Sequence, residues 1–172
     1  TQRAVRLSWE QALAWRMQRH HLVQRATPGE LLRVARELCG LHAQLMSSAE
    51  LSLWARIDGL ERGMLDAALW ARRDLVKTWA MRGTLHLLPA EELGLWIAAL
   101  GTHTGWGNRW PAMDVLAAAV ADVLEGQALT REELAQAVEQ QTGSREFGEW
   151  VRFSWGSYLK ALAFRGIVCF AP

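Results

Sequence analysis

Between residues 9 and 73 apolar side chains recur at three- and four-residue spacing, and between 75 and 88 they do not. That switch of period constrains the fold more than any other feature, because a 3.6-residue repeat is a helix face and a run rich in β-branched and aromatic residues is a strand. The two runs, 75–81 and 84–88, flank Arg82-Gly83, and glycine supplies the positive φ that a tight turn needs. They predict a β-hairpin with a basic tip. Upstream, each helical stretch carries a start signal. Ser8 caps a helix over 8–19 with Gln11 at the capping-box position and Trp9, Leu13 and Met17 on one face. Thr27, Pro28 and Glu30 open a second helix whose Leu31, Val34, Ala35 and Leu38 share a face, and Gly40 stops it. Residues 41–46 connect to a further box, Ser47 to Glu50, predicting a helix that carries Leu51, Trp54, Ala55 and Asp58. A fourth helix covers 61–73 with Met64, Leu65, Ala68, Leu69 and Arg72 on one side.

The order then repeats. An apolar helix over 89–100 leads into a Gly- and Trp-rich loop at 101–111, and helices are predicted at 113–124, from Thr130 to about residue 140, and over 152–165, followed by a strand at 166–170. Helices followed by a strand or hairpin are the outline of a winged helix-turn-helix unit. The fold expected is mainly α with short β-hairpins, as tandem winged helix-turn-helix units of which the second is incomplete. Residues 1–89 form the first unit with its wing, 90–111 the connecting helix and loop, and 112–172 a second unit that stops before its wing. A first residue of Thr1 and that ending read as a portion of a longer protein.

With 172 residues, 51% hydrophobic and 22% charged, the chain can bury a core and is not of disordered composition. Trp9, Trp54, Trp70, Trp79, Trp96 and Trp155 fall on apolar faces and are expected in it. The net charge of +1 weighs against a nucleic-acid partner only as an average. Residues 1–89 hold 13 basic and 8 acidic side chains, whereas 90–172 hold 6 and 10. Of the 19 basic residues 17 are arginine, the side chain suited to bidentate phosphate contacts. Cys39 and Cys169 stand far apart without metal-ligand spacing, which predicts neither a disulfide framework nor a zinc site and fits a reducing cytoplasm. No apolar run approaches the roughly 18 residues of a membrane span, so no membrane partner is expected.

The common nucleophile, phosphate-loop and zinc-protease signatures are absent. What remains is a polar pair, His42 and Gln44, alternating with Leu41, Ala43 and Leu45. An extended backbone would point both polar side chains to one side. The plain alternative is a loop in which His42 and Gln44 satisfy neighbouring backbone groups. For contacts with DNA the hairpin offers Arg82 at its tip, Lys77 and His86 on its strands, and Arg72 and Arg73 just before it. Asp74 beside these argues that part of the cluster is an ion pair. Trp106 and Trp110 flank Asn108 and Arg109 in the Gly-rich loop, where packing between subdomains is the expected role and stacking on a base or an arginine the alternative. His20 and His21 sit at a helix C-terminus and suit its dipole.

Taken together, the N-terminal LSxxQALAxR segment, GLHAQ at 40–44, SLWARIDGL at 52–60 and KTWAMRGTLHLLPAEEL at 77–93 resemble the bacterial winged-helix DNA glycosylases of the AlkZ and YcaQ type. The likeness covers essentially the whole chain, and its most specific part is the hairpin paired with the upstream GLxAQ. It implies tandem winged helices followed by a β-barrel, excision of N7-alkylated purines or cross-linked nucleotides from double-stranded DNA, a cytoplasmic, nucleoid-associated repair role, and no metal or organic cofactor. The family's catalytic triplet is usually Gln-x-Gln or Gln-x-Asp; here it is His42-Ala43-Gln44, similar to a His-containing subgroup. By that resemblance Gln44 holds the attacking water, and His42 orients it or accepts its proton. A non-catalytic winged-helix regulator, or a module for protein contacts alone, stays open at this level.

Overall fold

The computed structural model describes residues 6–102, 112–153 and 157–172. Helix α1 (Trp9–Arg19) starts at a complete capping box, in which Ser8 accepts from the Gln11 N–H and the Gln11 side chain returns to the Ser8 N–H. The chain then passes through a 3-10 turn at Pro28–Glu30 into α2 (Leu31–Glu37), a short strand β1 (Leu41–His42), α3 (Met46–Trp54) and α4 (Met64–Asp66). A single π-helical turn (Ala67–Ala71) leads from α4 to the hairpin β2 (Leu75–Trp79) and β3 (Leu85–Pro89). The sheet is antiparallel in the order β1-β3-β2, so β3 is central. Helix, strand, two helices and a two-strand wing closing on the first strand is a winged-helix unit. The second half is helical: α5 (Leu93–Gly101), α6 (Met113–Val123), α7 (Arg131–Thr142), α8 (Arg145–Arg152) and α9 (Ser157–Phe164). No helix of the described residues is long and apolar enough to cross a membrane.

Two apolar clusters organise the chain. Val34, Ala35, Leu53, Ala68, Leu75 and Leu87 belong to the first, and Leu116, Val120, Val138, Val151 and Leu162 to the second. Both are built from fully buried aliphatic side chains, the largest favourable term available to a chain of this size. Trp79, on β2, packs against the second cluster and so joins wing and helices. Within the second cluster Arg152 from α8 draws in Glu132 and Glu139 from α7, at 3.0 and 2.6 Å.

Several expectations change in the folded chain. The face expected on α1 exists but buries nothing: Trp9 is 87% exposed. Trp54 is exposed as well: α3 begins at Met46, two residues before the start a Ser47 cap would set, with Leu45 at the cap position and no side-chain cap, and it buries Ala49 and Leu53 rather than Leu51 and Trp54. The box expected at Ser47 therefore does not form. Residues 61–73 give only a short helix and a wider π turn, with the expected Leu65, Ala68 and Leu69 buried. The helix expected over 152–165 is α9, from Ser157 to Phe164, and a further helix, α8, precedes it where no element was expected. The signal for α8 is Ser144, which caps Phe147 after the left-handed Gly143. The predicted strand at 166–170 is irregular chain, but it lies beside the free edge of β2, where the Phe170 N–H donates to the Lys77 carbonyl at 2.9 Å. The Gly- and Trp-rich loop with Trp106, Arg109 and Trp110, and Trp155 after it, fall outside the described residues.

Candidate DNA-facing site

Helix α2 ends in two successive left-handed residues, Cys39 (φ 57°) and Gly40 (φ 93°), with the Gly40 N–H bonded back to the Ala35 carbonyl. This reversal sends the chain straight into β1. There Leu41 and Ala43 are buried at 2% and 0%, while His42 and Gln44 are exposed, so the predicted alternation is a physical ridge over 41–44; Leu45, expected on the apolar side, is exposed at the start of α3. The ridge is fastened to β3 on both sides of His42. Leu41 pairs with Leu87, His42 with His86, and the Ala43 N–H donates to the Leu85 carbonyl at 2.8 Å. The Leu85 N–H also reaches Gln44 Oε1 in a long 3.5 Å hydrogen bond. That leaves the Gln44 amide NH2 as the donor turned away from the strand.

Register decides which of the predicted basic residues share this face. His86 stands opposite His42 on one side and Thr78 on the other, so these three lie on one face; Lys77 pairs with Leu87, which in turn pairs with Leu41, and lies on the opposite one. The Lys77 ammonium sits 5.3 Å from the Phe170 ring centre, which in turn packs on Trp79 at 4.9 Å. Arg72 is bound to Asp74 at 2.6 Å, the ion pair anticipated from their spacing, and Arg73 is exposed at the foot of the hairpin. Arg82 is exposed at the tip in a left-handed conformation (φ 56°), next to Gly83 (φ 67°). Among the described residues predicted for this role, Arg82 and His86 therefore group with His42 and Gln44. One apolar cleft of about 400 Å³, lined by Leu51, Trp54, Leu60 and Leu65, lies away from His42 and Gln44, which are exposed. At the far end of α1, His21 is buried and its Nε2 meets Glu37 at 2.5 Å, tying α1 to α2. Among the described residues no three His, Cys, Asp or Glu side chains are grouped as metal ligands. Cys39 and Cys169 are both free thiols.

His86 is the group of the site that sequence spacing does not explain. Its ring is 5% exposed, and Nδ1 lies 3.0 Å from the Thr84 carbonyl. Burial pushes its pKa down, the hydrogen bond to Thr84 opposes that, and the charges of His42 and Arg82 lower it further. A histidine harder to protonate folded than unfolded contributes stability above its unfolded value of about 6.5, and that contribution is lost as pH falls through the lowered folded value. Melting curves at pH 7.5 and about 5.5 should show an acid destabilisation that is smaller in His86→Phe. Parallel curves for the two proteins would contradict it.

An open polar ridge on the edge strand of a small antiparallel sheet, beside a basic hairpin tip, places the chain in the winged-helix class. Residues 35–172 match the family model of AlkZ-like DNA glycosylases, and the chain belongs to that family. It is 38% identical over 177 residues to the interstrand DNA cross-link repair glycosylase of Streptomyces sahachiroi, an alignment covering 98% of this chain and 47% of that protein. The structure of the Streptomyces sahachiroi DNA glycosylase AlkZ superposes with a TM-score of 0.82, again over 98% of this chain and 47% of the other. The chain thus spans about half the length of the relatives it matches.

Proposed function

We propose that the protein is a monofunctional DNA glycosylase that removes N7-alkylated purines from duplex DNA, with His42 and Gln44 as its catalytic residues. The observation that carries this reading is the ridge itself. Two exposed polar side chains, His42 and Gln44, flank the buried Ala43 at the triplet of an AlkZ-like chain. The relative's name specifies interstrand cross-links, and cross-linked nucleotides are the second substrate class we carry over on that likeness.

The chemistry asks little of the protein. An N7-alkylated purine is already cationic, so when the C1′–N9 bond breaks its electron pair neutralises the departing base and the sugar becomes oxocarbenium-like. The paired carboxylic acids of ordinary glycoside hydrolysis are not needed to protonate the leaving group. Alternate residues on an extended strand stand about 6.5 Å apart, room for one water between two hydrogen bonds. The Gln44 NH2 donates to the water oxygen and His42 accepts a water proton as the oxygen bonds to C1′. Duplex DNA is the partner. Arg82 is its nearest phosphate contact, with Arg72, Arg73 and Lys77 at the foot of the hairpin and Arg109 as further contacts. A repair role of this kind places the protein with the nucleoid in the cytoplasm. The units 1–89 and 112–172, joined by 90–111, are the two DNA-facing lobes in this reading.

The test is release of N7-methylguanine from a labelled duplex by the full-length protein. Excision is expected; a protein that excises nothing yet binds one sequence far more tightly than random duplex is a regulator instead. Binding should weaken linearly in log salt, and Arg82→Ala should reduce the slope by about 1, measured by fluorescence anisotropy. An unchanged slope removes Arg82 from the phosphate contacts.

A further inference from the structure

The sequence assigns His86 to the DNA surface, and its burial gives it a different task. A carbonyl oxygen only accepts, so the 3.0 Å contact with Thr84 puts the proton on Nδ1 and leaves Nε2 with a lone pair in the neutral ring. The strand register sets His42 directly opposite, and the two imidazoles meet edge to face, centroids 5.5 Å apart with an interplanar angle of 80°. The titratable and charged groups that face His86 are His42 from β1 and Arg82 from the turn, both of which disfavour a proton on it; Thr78 from β2 is its uncharged neighbour. His42 itself sits on a two-residue edge strand with its side chain in solvent, where backbone alone leaves several rotamers open.

We propose that His86 is the positioning residue of the His42/Gln44 site: its buried ring, pinned by the Thr84 carbonyl, is the wall that holds the His42 imidazole in the one orientation able to take a proton from water beside Gln44. His86 touches neither water nor nucleotide in this role and acts only through His42. The inference rests on the reading of His42 as proton acceptor. It goes beyond the triplet by assigning a third residue, 44 positions away in sequence.

Single-turnover excision of N7-methylguanine by the full-length protein tests it. His86→Ala should slow cleavage about 100-fold, the cost of a misplaced reacting group, with duplex affinity unchanged. His86→Asn, which keeps a donor to Thr84 but loses the ring, should be slowed similarly, whereas His86→Phe, which keeps the ring edge, should restore most of the rate. The deciding comparison is the double variant. Once His42 is alanine, His86→Ala should cost nothing further. Multiplying losses, or a loss that appears as weakened DNA binding, would overturn the proposal. If the wild-type protein excises no alkylated base, the catalytic reading fails separately, and the ring contact is then judged by NMR. His42 ring signals that move in His86→Ala and stay in His86→Phe support positioning, and signals unchanged in both sink it.

Discussion

His42→Ala and Gln44→Ala are each expected to lower the single-turnover excision rate of the full-length protein by about 100-fold or more, the range that a positioned proton-transfer group supplies. Neither should weaken binding to undamaged duplex, because duplex affinity comes chiefly from the arginine and lysine contacts to phosphate. The two losses should combine to less than their product, since one water serves both residues. His42→Gln creates the family's commoner Gln-x-Gln triplet on the same backbone and should retain activity while losing whatever pH dependence the imidazole confers. Wild-type rates in all three variants would remove the ridge from the chemistry. Tighter or looser duplex binding in step with the rates would recast it as a binding surface.

Gly40→Ala carries the other large effect. At φ 93° an alanine is strained whatever surrounds it, and its Cβ would stand 2.6 Å from Leu88 Cδ2 and 3.2 Å from the Leu87 carbonyl oxygen. Leu88 is fully buried, so the clash cannot be relieved into solvent. Backbone strain and overpacking each cost on the order of 1–3 kcal/mol, and together about 3 kcal/mol of stability should be lost in urea denaturation. The substitution also forces β1 away from β3 at the point where His42 meets His86, so excision should fall even in the folded fraction. A stable, fully active Gly40→Ala would show that the reversal after α2 does not set the ridge.

Local signals were legible where the chain's own chemistry closes them. Ser8 with Gln11 and Thr130 with Glu133 make complete capping boxes because both partners lie within one turn. Arg82-Gly83 turns the hairpin because both residues take positive φ. The box at Ser47 failed although its spacing is as good, since the helix already opens at Met46 and Ser47 lies inside its first turn, where it cannot act as the cap. Trp9 and Trp54 illustrate the same limit from the other side. An apolar face is visible in sequence, whereas what covers it is not, and on the described residues both indoles are exposed.

The candidate site divides in the same way. By itself the sequence determined that His42 and Gln44 project to one side, because alternation between Leu41 and Ala43 is a property of an extended backbone, and it determined the basic wing tip, because a turn at Arg82-Gly83 leaves the arginine at the bend. Only the tertiary structure decided that His86 and not Lys77 joins them. That choice is set by the hydrogen-bond register between β1, β3 and β2, and a shift of one residue would have exchanged the two faces. Register follows from which aliphatic side chains the core accepts, a property of the packed whole.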